Sequence, residues 1–285
     1  MRPAKFEYHR PGSVDEAIQL LASGGDFKAL AGGHSLLPAM NLRLAQPEAL
    51  VDIGRLQELK GIRMKGNALL IGALTTHAAI ASSSDVQQHC PALADACGRV
   101  GDPQVRNWGT LGGNLAHADP ASDPPAVILA AGAALHLQGP QGRRSVAADD
   151  FFLDLFATDL RAGELITAIE VPTLSGFKSA YVKLAHPASR YAVVGICVVL
   201  DWDGSKCNSA RVAVTGATPK AVRSPGAEGA LTGSSLDEAA LEQASQALQQ
   251  DLGEEVLDDL HAPRDYRRAM TGVYLKRAVR AAVSG

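Results

Sequence analysis

Two glycine-centred segments decide how this sequence folds. Residues 30–38 read LAGGHSLLP, and residues 107–115 read NWGTLGGNL. In each segment a pair of glycines follows a short apolar piece and lies beside small hydroxyl or amide residues. Paired glycines let successive backbone N–H groups turn toward one point, which creates an anion-binding concavity. Two such loops facing each other predict a diphosphate site that needs no lysine.

Three neutral side chains, Ser35, Thr110 and Asn114, would add hydrogen bonds to such a site. A single Gly-Gly pair is usually only a turn, so the prediction depends on the two loops acting together. The sequence has neither the Gly-x-Gly-x-x-Gly pattern of a Rossmann site nor the Gly-x-x-x-x-Gly-Lys-Ser/Thr pattern of a P-loop. A diphosphate ligand would therefore bind in a different fold.

Composition excludes several classes of protein. The chain has 285 residues, of which 46% are hydrophobic and 20% charged, and its formal net charge is −3. These values favour a globular protein of about two domains and give no basic face for nucleic acid. No apolar run reaches the ~20 residues of a membrane span. The N-terminus lacks the apolar region of a signal peptide. The four cysteines include no Cys-x-x-Cys, and no metal site is expected; unpaired thiols favour the cytoplasm.

The order of helix and strand signals predicts an α+β protein with a domain boundary near residue 175. Ser13 and Glu16 form a capping box before a helix, and short strands are predicted at 27–31, 50–53 and 69–73. The segment 101–125 is rich in Gly and Pro and predicts a long irregular stretch. Beyond the boundary, three β-rich runs precede two helices. Their expected ranges are 177–184, 192–200 and 210–215.

A different chemistry remains open at the first loop. Residues 33–37 begin like the Gly-x-Ser-x-Gly nucleophile elbow of a serine hydrolase, but Leu37 stands in place of the second glycine. Downstream, Asp123 could bind a ribose hydroxyl or could be a solvated turn carboxylate. Arg106 could anchor a phosphate or pair with Asp102.

The two loops resemble the FAD diphosphate loops of a known family. AGGHSLLP at 31–38 and TLGGN at 110–114 look like those of the flavoprotein medium subunit of molybdenum hydroxylases, the xanthine dehydrogenase and aerobic carbon monoxide dehydrogenase family. The similarity continues through FEYHRP at 6–11, DPQVRN at 102–107 and YVKL at 181–184, and ends with YRRAM at 266–270.

This resemblance implies a fold and a domain division. Residues 1–175 would form a two-part FAD-binding domain of the vanillyl-alcohol-oxidase (PCMH) type, split near residue 56. Residues 176–285 would form a small domain of the carbon monoxide dehydrogenase flavoprotein C-terminal type, with a three-stranded antiparallel sheet and helices.

The resemblance also assigns roles to residues. The two loops would bind the diphosphate, Asp123 the adenosine side of FAD, and Ile166 would lie by the isoalloxazine. Lys183 would lie near the flavin carbonyl edge and Tyr191 over the flavin ring, which makes these two the expected catalytic environment of the flavin. The complete expected cofactor site is Ala31, Gly32, Gly33, His34, Ser35, Leu36, Val100, Thr110, Leu111, Gly112, Gly113, Asn114, Asp123, Ile166, Lys183 and Tyr191.

The implied function is electron transfer through non-covalently bound FAD. Molybdopterin would lie on a large partner subunit and [2Fe–2S] clusters on a small one, in a dimer of heterotrimers with no nucleic acid and no membrane span. A self-contained FAD oxidoreductase of the same fold is the alternative. The resemblance leaves open the substrate, which could be an N-heterocycle, an aldehyde, carbon monoxide or a purine, and it leaves open the electron acceptor.

Overall fold

The computed structural model describes residues 2–285 and begins with a small parallel sheet. Its strands are β1 (Glu7–His9), β2 (Phe27–Leu30) and β3 (Ala49–Asp52), in the order β1-β3-β2. Helices α1 (Val14–Ala22) and α2 (Leu36–Asn41) connect them, and a 3₁₀ turn follows at Gln57–Leu59. The predicted capping box is present: Ser13 accepts from the Glu16 N–H, and the Glu16 carboxylate accepts from the Gly12 N–H.

An antiparallel five-stranded sheet forms the second layer, in the order β4-β5-β10-β6-β7. Strand β10 lies at its centre and pairs with strands far away in sequence on both sides. The strands are β4 (Ile62–Lys65), β5 (Ala68–Gly72), β6 (Ala134–Gly139), β7 (Gly142–Ala147) and β10 (Leu165–Pro172), and a separate two-stranded pair is β8 (Phe152–Asp154) with β9 (Ala157–Thr158).

Seven helices pack around this sheet. They are α3 (His77–Ser82), α4 (Ser84–His89), α5 (Pro91–Arg99), α6 (Pro103–Trp108), α7 (Leu111–His117), α8 (Pro124–Ala131) and α9 (Ala148–Phe151). All eight residues of α8 are buried, which matches a helix that is apolar on every side.

The segment 101–125 is not irregular, which corrects the prediction made from its Gly and Pro content. It contains α6 and α7, each begun by a capping side chain. Asp102 accepts from the Val105 N–H and Thr110 accepts from the Gly113 N–H. Pro103 occupies the first turn, where proline costs nothing because that N–H has no helical partner. Local capping and burial of Leu111 and Leu115 stabilise helices that propensity alone disfavours.

The last third of the chain is a twisted antiparallel sheet covered by helices. Three long strands, β11 (Lys178–Ala185), β12 (Ala192–Trp202) and β13 (Cys207–Thr215), are joined by a fourth of two residues, β14 (Val222–Arg223). The sheet thus has four strands rather than the expected three, since two residues are too few to produce a strand pattern. The helices are α10 (Pro225–Leu231), α11 (Glu238–Asp251) and α12 (Arg264–Ser284).

Candidate functional site

A cleft of about 790 Å³ lies where the parallel sheet, the five-stranded sheet and the loop before β12 meet. Its lining includes the turn after β2, the start of α7, the segment 121–123 and the segment 158–166. The loop ending at Tyr191 completes one side. Residues from both halves of the first 175 positions therefore share one concave surface, which is the usual form of a small-molecule site.

The first glycine loop connects β2 to α2. Gly33 has a φ of +74°, a backbone conformation that residues with a Cβ rarely adopt. The Leu37 N–H donates to the Gly33 carbonyl, which starts the helix. His34 turns back, with its Nδ1 2.9 Å from the Gly32 carbonyl. Ser35 begins α2 without using its hydroxyl as a cap, so that group is available to a ligand.

The second glycine loop is attached to β5 and its following turn. The Gly112 N–H donates to the Ala73 carbonyl at 2.8 Å, and the Leu111 N–H donates to the Thr75 carbonyl at 3.0 Å. Asn114 accepts a 2.7 Å hydrogen bond from the Ser122 hydroxyl. The loop and the segment carrying Asp123 are therefore held together.

The two glycine loops touch each other through their backbones. A Cβ built on Gly32 would overlap the carbonyl of Trp108 and lie 3.0 Å from the Cα of Gly109. Only glycine at position 32 permits this approach. The proximity that the sequence could only postulate is thus present in the structure.

A buried ion pair closes one end of the cleft. Lys183 Nζ donates to Asp123 Oδ2 at 2.7 Å, and both side chains are only 5% exposed. The Tyr181 hydroxyl donates to Asp123 Oδ1 at 2.5 Å. Burial raises the pKa of Asp123 and lowers the pKa of Lys183, and each partner opposes the shift of the other. Asp123 lines the cleft, whereas Lys183 does not.

Lys183 also holds the backbone around the cleft. Its ammonium donates to the carbonyl of Arg99 at 3.0 Å and to the carbonyl of Arg190 at 2.7 Å. These carbonyls precede Val100 and Tyr191, two residues that line the cleft. All three N–H groups of the ammonium are thereby used within the protein.

Most of the residues predicted for the cofactor site line the cleft, and two do not. Fourteen of the sixteen line the cleft; Leu111 and Lys183 do not. Leu111 is fully buried in the core behind the loop. Tyr191 is 46% exposed at the cleft.

His77 is a cleft residue that the sequence did not indicate. It is 2% exposed, begins α3, and its backbone N–H donates to the Gly109 carbonyl at 3.0 Å. Burial, reinforced by the Arg106 guanidinium, lowers the pKa of His77 to about 4. Within residues 2–285 its Nδ1 has no hydrogen-bond partner. Its only local signal in the sequence is the pair of threonines before α3, Thr75 and Thr76, of which Thr76 caps the helix by accepting from the Ala79 N–H.

Comparison with known proteins identifies the family. Residues 4–174 match the FAD binding domain in molybdopterin dehydrogenase, and residues 179–282 match the carbon monoxide dehydrogenase flavoprotein C-terminal domain. The chain belongs to this family of FAD-binding dehydrogenase subunits. It is 44% identical over 284 residues to the carbon monoxide dehydrogenase medium chain of Hydrogenophaga pseudoflava, covering 99% of this chain and 98% of that protein.

One further relative and one solved structure extend the comparison. The chain is 36% identical over 280 residues to the nicotine 6-hydroxylase medium subunit of Paenarthrobacter nicotinovorans, covering 98% of each. Its fold matches a solved carbon monoxide dehydrogenase from Hydrogenophaga pseudoflava that lacks the Mo-pyranopterin moiety, with a TM-score of 0.96, 45% identity and coverage of 100% and 99%. The α+β fold and the role as an FAD subunit of molybdenum oxidoreductases are thereby confirmed.

The residues of the cleft fit FAD. The glycine at position 32 lets the two loops meet at the cleft, where any Cβ would overlap the Trp108 carbonyl, and Gly33 adopts the positive φ of the turn that lines it. The unpartnered Nδ1 of His77 is an unused polar atom beside the second loop. Ser35 shows no serine-hydrolase geometry, because the neighbouring His34 ring contacts the Gly32 carbonyl instead. No helix among residues 2–285 has the length and apolar character needed to cross a membrane.

Proposed function

We propose that this chain holds one FAD non-covalently in the cleft and relays electrons from a [2Fe–2S] partner subunit to an external acceptor. The observation that carries the proposal is the direct backbone contact between the two glycine loops. Because of this contact the small residues of both loops line the same cleft, in a chain that belongs to an FAD-binding family.

The cleft residues would bind different parts of FAD. Backbone N–H groups at 31–35 would bind the diphosphate, with the Ser35 and Asn114 side chains as neutral partners. Residues 110–114 would bound the other side of the diphosphate, because the N–H groups of 111–114 are hydrogen-bonded within the protein. Asp123 would bind the adenosine side, while Ile166 and Val100 would exclude water from the ring. Tyr191 would lie over the ring and limit access to it. Bound FAD supplies a centre that exchanges electrons singly or in pairs.

The proposal includes partners and location. Relatives are called medium chains and medium subunits, which supports a complex with a large molybdopterin subunit and a small [2Fe–2S] subunit, arranged as a dimer of heterotrimers. We assign residues 1–175 to the FAD-binding domain, split near residue 56, and residues 176–285 to the C-terminal domain. The four free, buried cysteines are compatible with the reducing cytoplasm.

Mild purification from the native host tests the relay. The expected result is a complex in which this chain co-elutes with iron and molybdenum in fixed proportion, and in which the flavin is reduced when substrate is added. An active flavoprotein without iron or molybdenum would contradict the relay and favour the self-contained oxidoreductase.

A further inference from the structure

A second, smaller cavity lies on the other side of the loop that leads to Tyr191. It measures about 200 Å³ and is lined by Arg99, Lys183, Ala185, His186, Pro187 and Arg190. Arg190 also lines the large cleft, together with Ser189 and Tyr191. One loop therefore borders both spaces, and a molecule in the small cavity would lie next to the mouth of the cleft.

The cavity is basic in a chain whose net charge is −3. None of its six lining residues is acidic. The Lys183 ammonium donates its three hydrogen bonds to Asp123 and to two backbone carbonyls. Arg99 meets the Asp95 carboxylate only through Nε, which leaves its terminal nitrogens free, and Arg190 has no ion pair within residues 2–285. The cavity therefore presents two guanidinium groups whose charge is only partly neutralised.

The backbone at this cavity is held in a strained shape. Arg190 has a φ of +66°, which is uncommon for a residue with a long side chain. Its N–H donates to the His186 carbonyl at 2.9 Å, and its carbonyl accepts from Lys183 at 2.7 Å. The His186 ring accepts from the Ser189 N–H and packs edge-on against His261 at 4.6 Å. Such over-determined strain is typical of ligand clamps.

We propose that this cavity binds the anionic group of the external electron acceptor, a phosphate or carboxylate held between the guanidinium groups of Arg99 and Arg190. Guanidinium groups suit both oxyanions because their N–H groups form parallel, charge-assisted hydrogen bonds. The inference rests on the proposed electron relay and adds the chemical class of the acceptor to it. The loop 185–191 would place the rest of that acceptor beside Tyr191.

The first test measures binding of pyrophosphate by titration calorimetry. It uses the FAD-loaded full chain, because the flavin diphosphate then occupies the glycine loops. Wild type should bind pyrophosphate, and Arg99→Gln should raise the dissociation constant at least about tenfold, the effect of losing a charge-assisted hydrogen bond. Arg143→Gln is the matched control, since this exposed arginine lies on β7 and lines neither cavity. Equal pyrophosphate affinity in the cavity variant and in the Arg143→Gln control would contradict an anion site in this cavity.

The second test measures reoxidation of the anaerobically photoreduced flavin by stopped flow. Ferricyanide serves as the anionic acceptor and a short-chain quinone as the neutral one. Arg99→Gln, which lines the small cavity and not the large cleft, should slow reoxidation by ferricyanide about tenfold, leave the quinone rate unchanged and retain full flavin absorbance, while Arg143→Gln should change neither rate. Pyrophosphate binding without a selective effect on ferricyanide would mean a free-anion site and would overturn the acceptor assignment. A chain without bound FAD would instead refute the proposed function, and the loss of pyrophosphate binding between that flavin-free chain and its Arg99→Gln variant would still report on the cavity.

Discussion

At the residue scale, the least expected feature is the position of Lys183. The family resemblance predicted this side chain at the flavin carbonyl edge, but its ammonium is enclosed by Asp123 and two backbone carbonyls. A direct contact with the flavin stays a prediction. The structure favours a role in holding the cleft together, because the three acceptors belong to three different cleft-forming segments.

Lys183→Met should be strongly destabilising, since it leaves the buried Asp123 carboxylate without its cation. Removing one partner of a buried pair costs about 3–5 kcal/mol of unfolding free energy. Urea unfolding of the FAD-free chain measures the change. Lys178→Met, at the far end of the same strand, is the control and should change stability little. The double variant Lys183→Met/Asp123→Asn should recover part of the loss; no recovery would show that the pair is not the cause.

His77 should make the fold sensitive to acid. Its folded-state pKa of about 4 lies below the ordinary value of 6.5, so between these values the unfolded chain binds a proton that the folded chain does not. The stability that neutral, buried His77 contributes is therefore fully present above pH 6.5 and is lost as pH falls toward 4. The loss in unfolding free energy is about 2 kcal/mol between pH 7 and pH 5. In His77→Asn the same fall in pH should lower the unfolding free energy, measured by urea unfolding, by about 2 kcal/mol less than in the wild type. An unchanged pH dependence would contradict a neutral, buried His77.

At the element scale, the site depends on the contact between two turns. Gly32→Ala should separate the glycine loops because its Cβ would overlap the Trp108 carbonyl. We expect the dissociation constant for FAD, measured by flavin fluorescence, to rise at least about tenfold, as for loss of several backbone hydrogen bonds. Gly33→Val and Gly113→Val should abolish FAD retention. Gly229→Ala is the control, since nothing lies within 4 Å of its added Cβ; normal FAD affinity in Gly32→Ala would refute the two-loop account.

The same scale shows what the sequence can and cannot predict. Gly pairs, the Ser13 cap and the long apolar strands are local patterns, and each of those elements is present. Helices α6 and α7 were missed because their stability comes from capping by Asp102 and Thr110, and in α7 also from burial, rather than from propensity. Strand β14 was missed because its pairing with β13 is a tertiary contact of two residues. The orientation of Lys183 and the burial of His77 depend on elements distant in sequence.

At the scale of the whole molecule, the C-terminal sheet supports the cleft. Thr215, at the end of β13, is buried with its hydroxyl 2.7 Å from the carbonyls of both Pro120 and Ser122. The Gly216 and Ala192 N–H groups donate to the neighbouring carbonyls of Pro120 and Ala121. Arg267 of α12 donates to the carbonyls of Val193 and Gly216. The C-terminal sheet and α12 therefore hold the segment before Asp123 in place.

Thr215→Val should test this support with little change of shape. Loss of the buried hydroxyl leaves a carbonyl acceptor without its donor and should lower the unfolding free energy by about 1–2 kcal/mol. FAD affinity should fall as well, because Asn114 and Asp123 lie against the released segment. Thr232→Val, which changes an exposed hydroxyl in a helix cap, should leave affinity unchanged. Equal affinities for the two variants would contradict the support.

The most direct test of the central claim is the amount and attachment of flavin. The purified chain is precipitated with acid, and the flavin in the supernatant is quantified per chain and identified as FAD by its conversion to FMN with phosphodiesterase. The structure predicts one FAD per chain, entirely in a yellow supernatant, for wild type, and a large loss for Gly32→Ala. A yellow pellet beneath a colourless supernatant, or a folded wild-type chain that cannot be loaded with FAD, would contradict it.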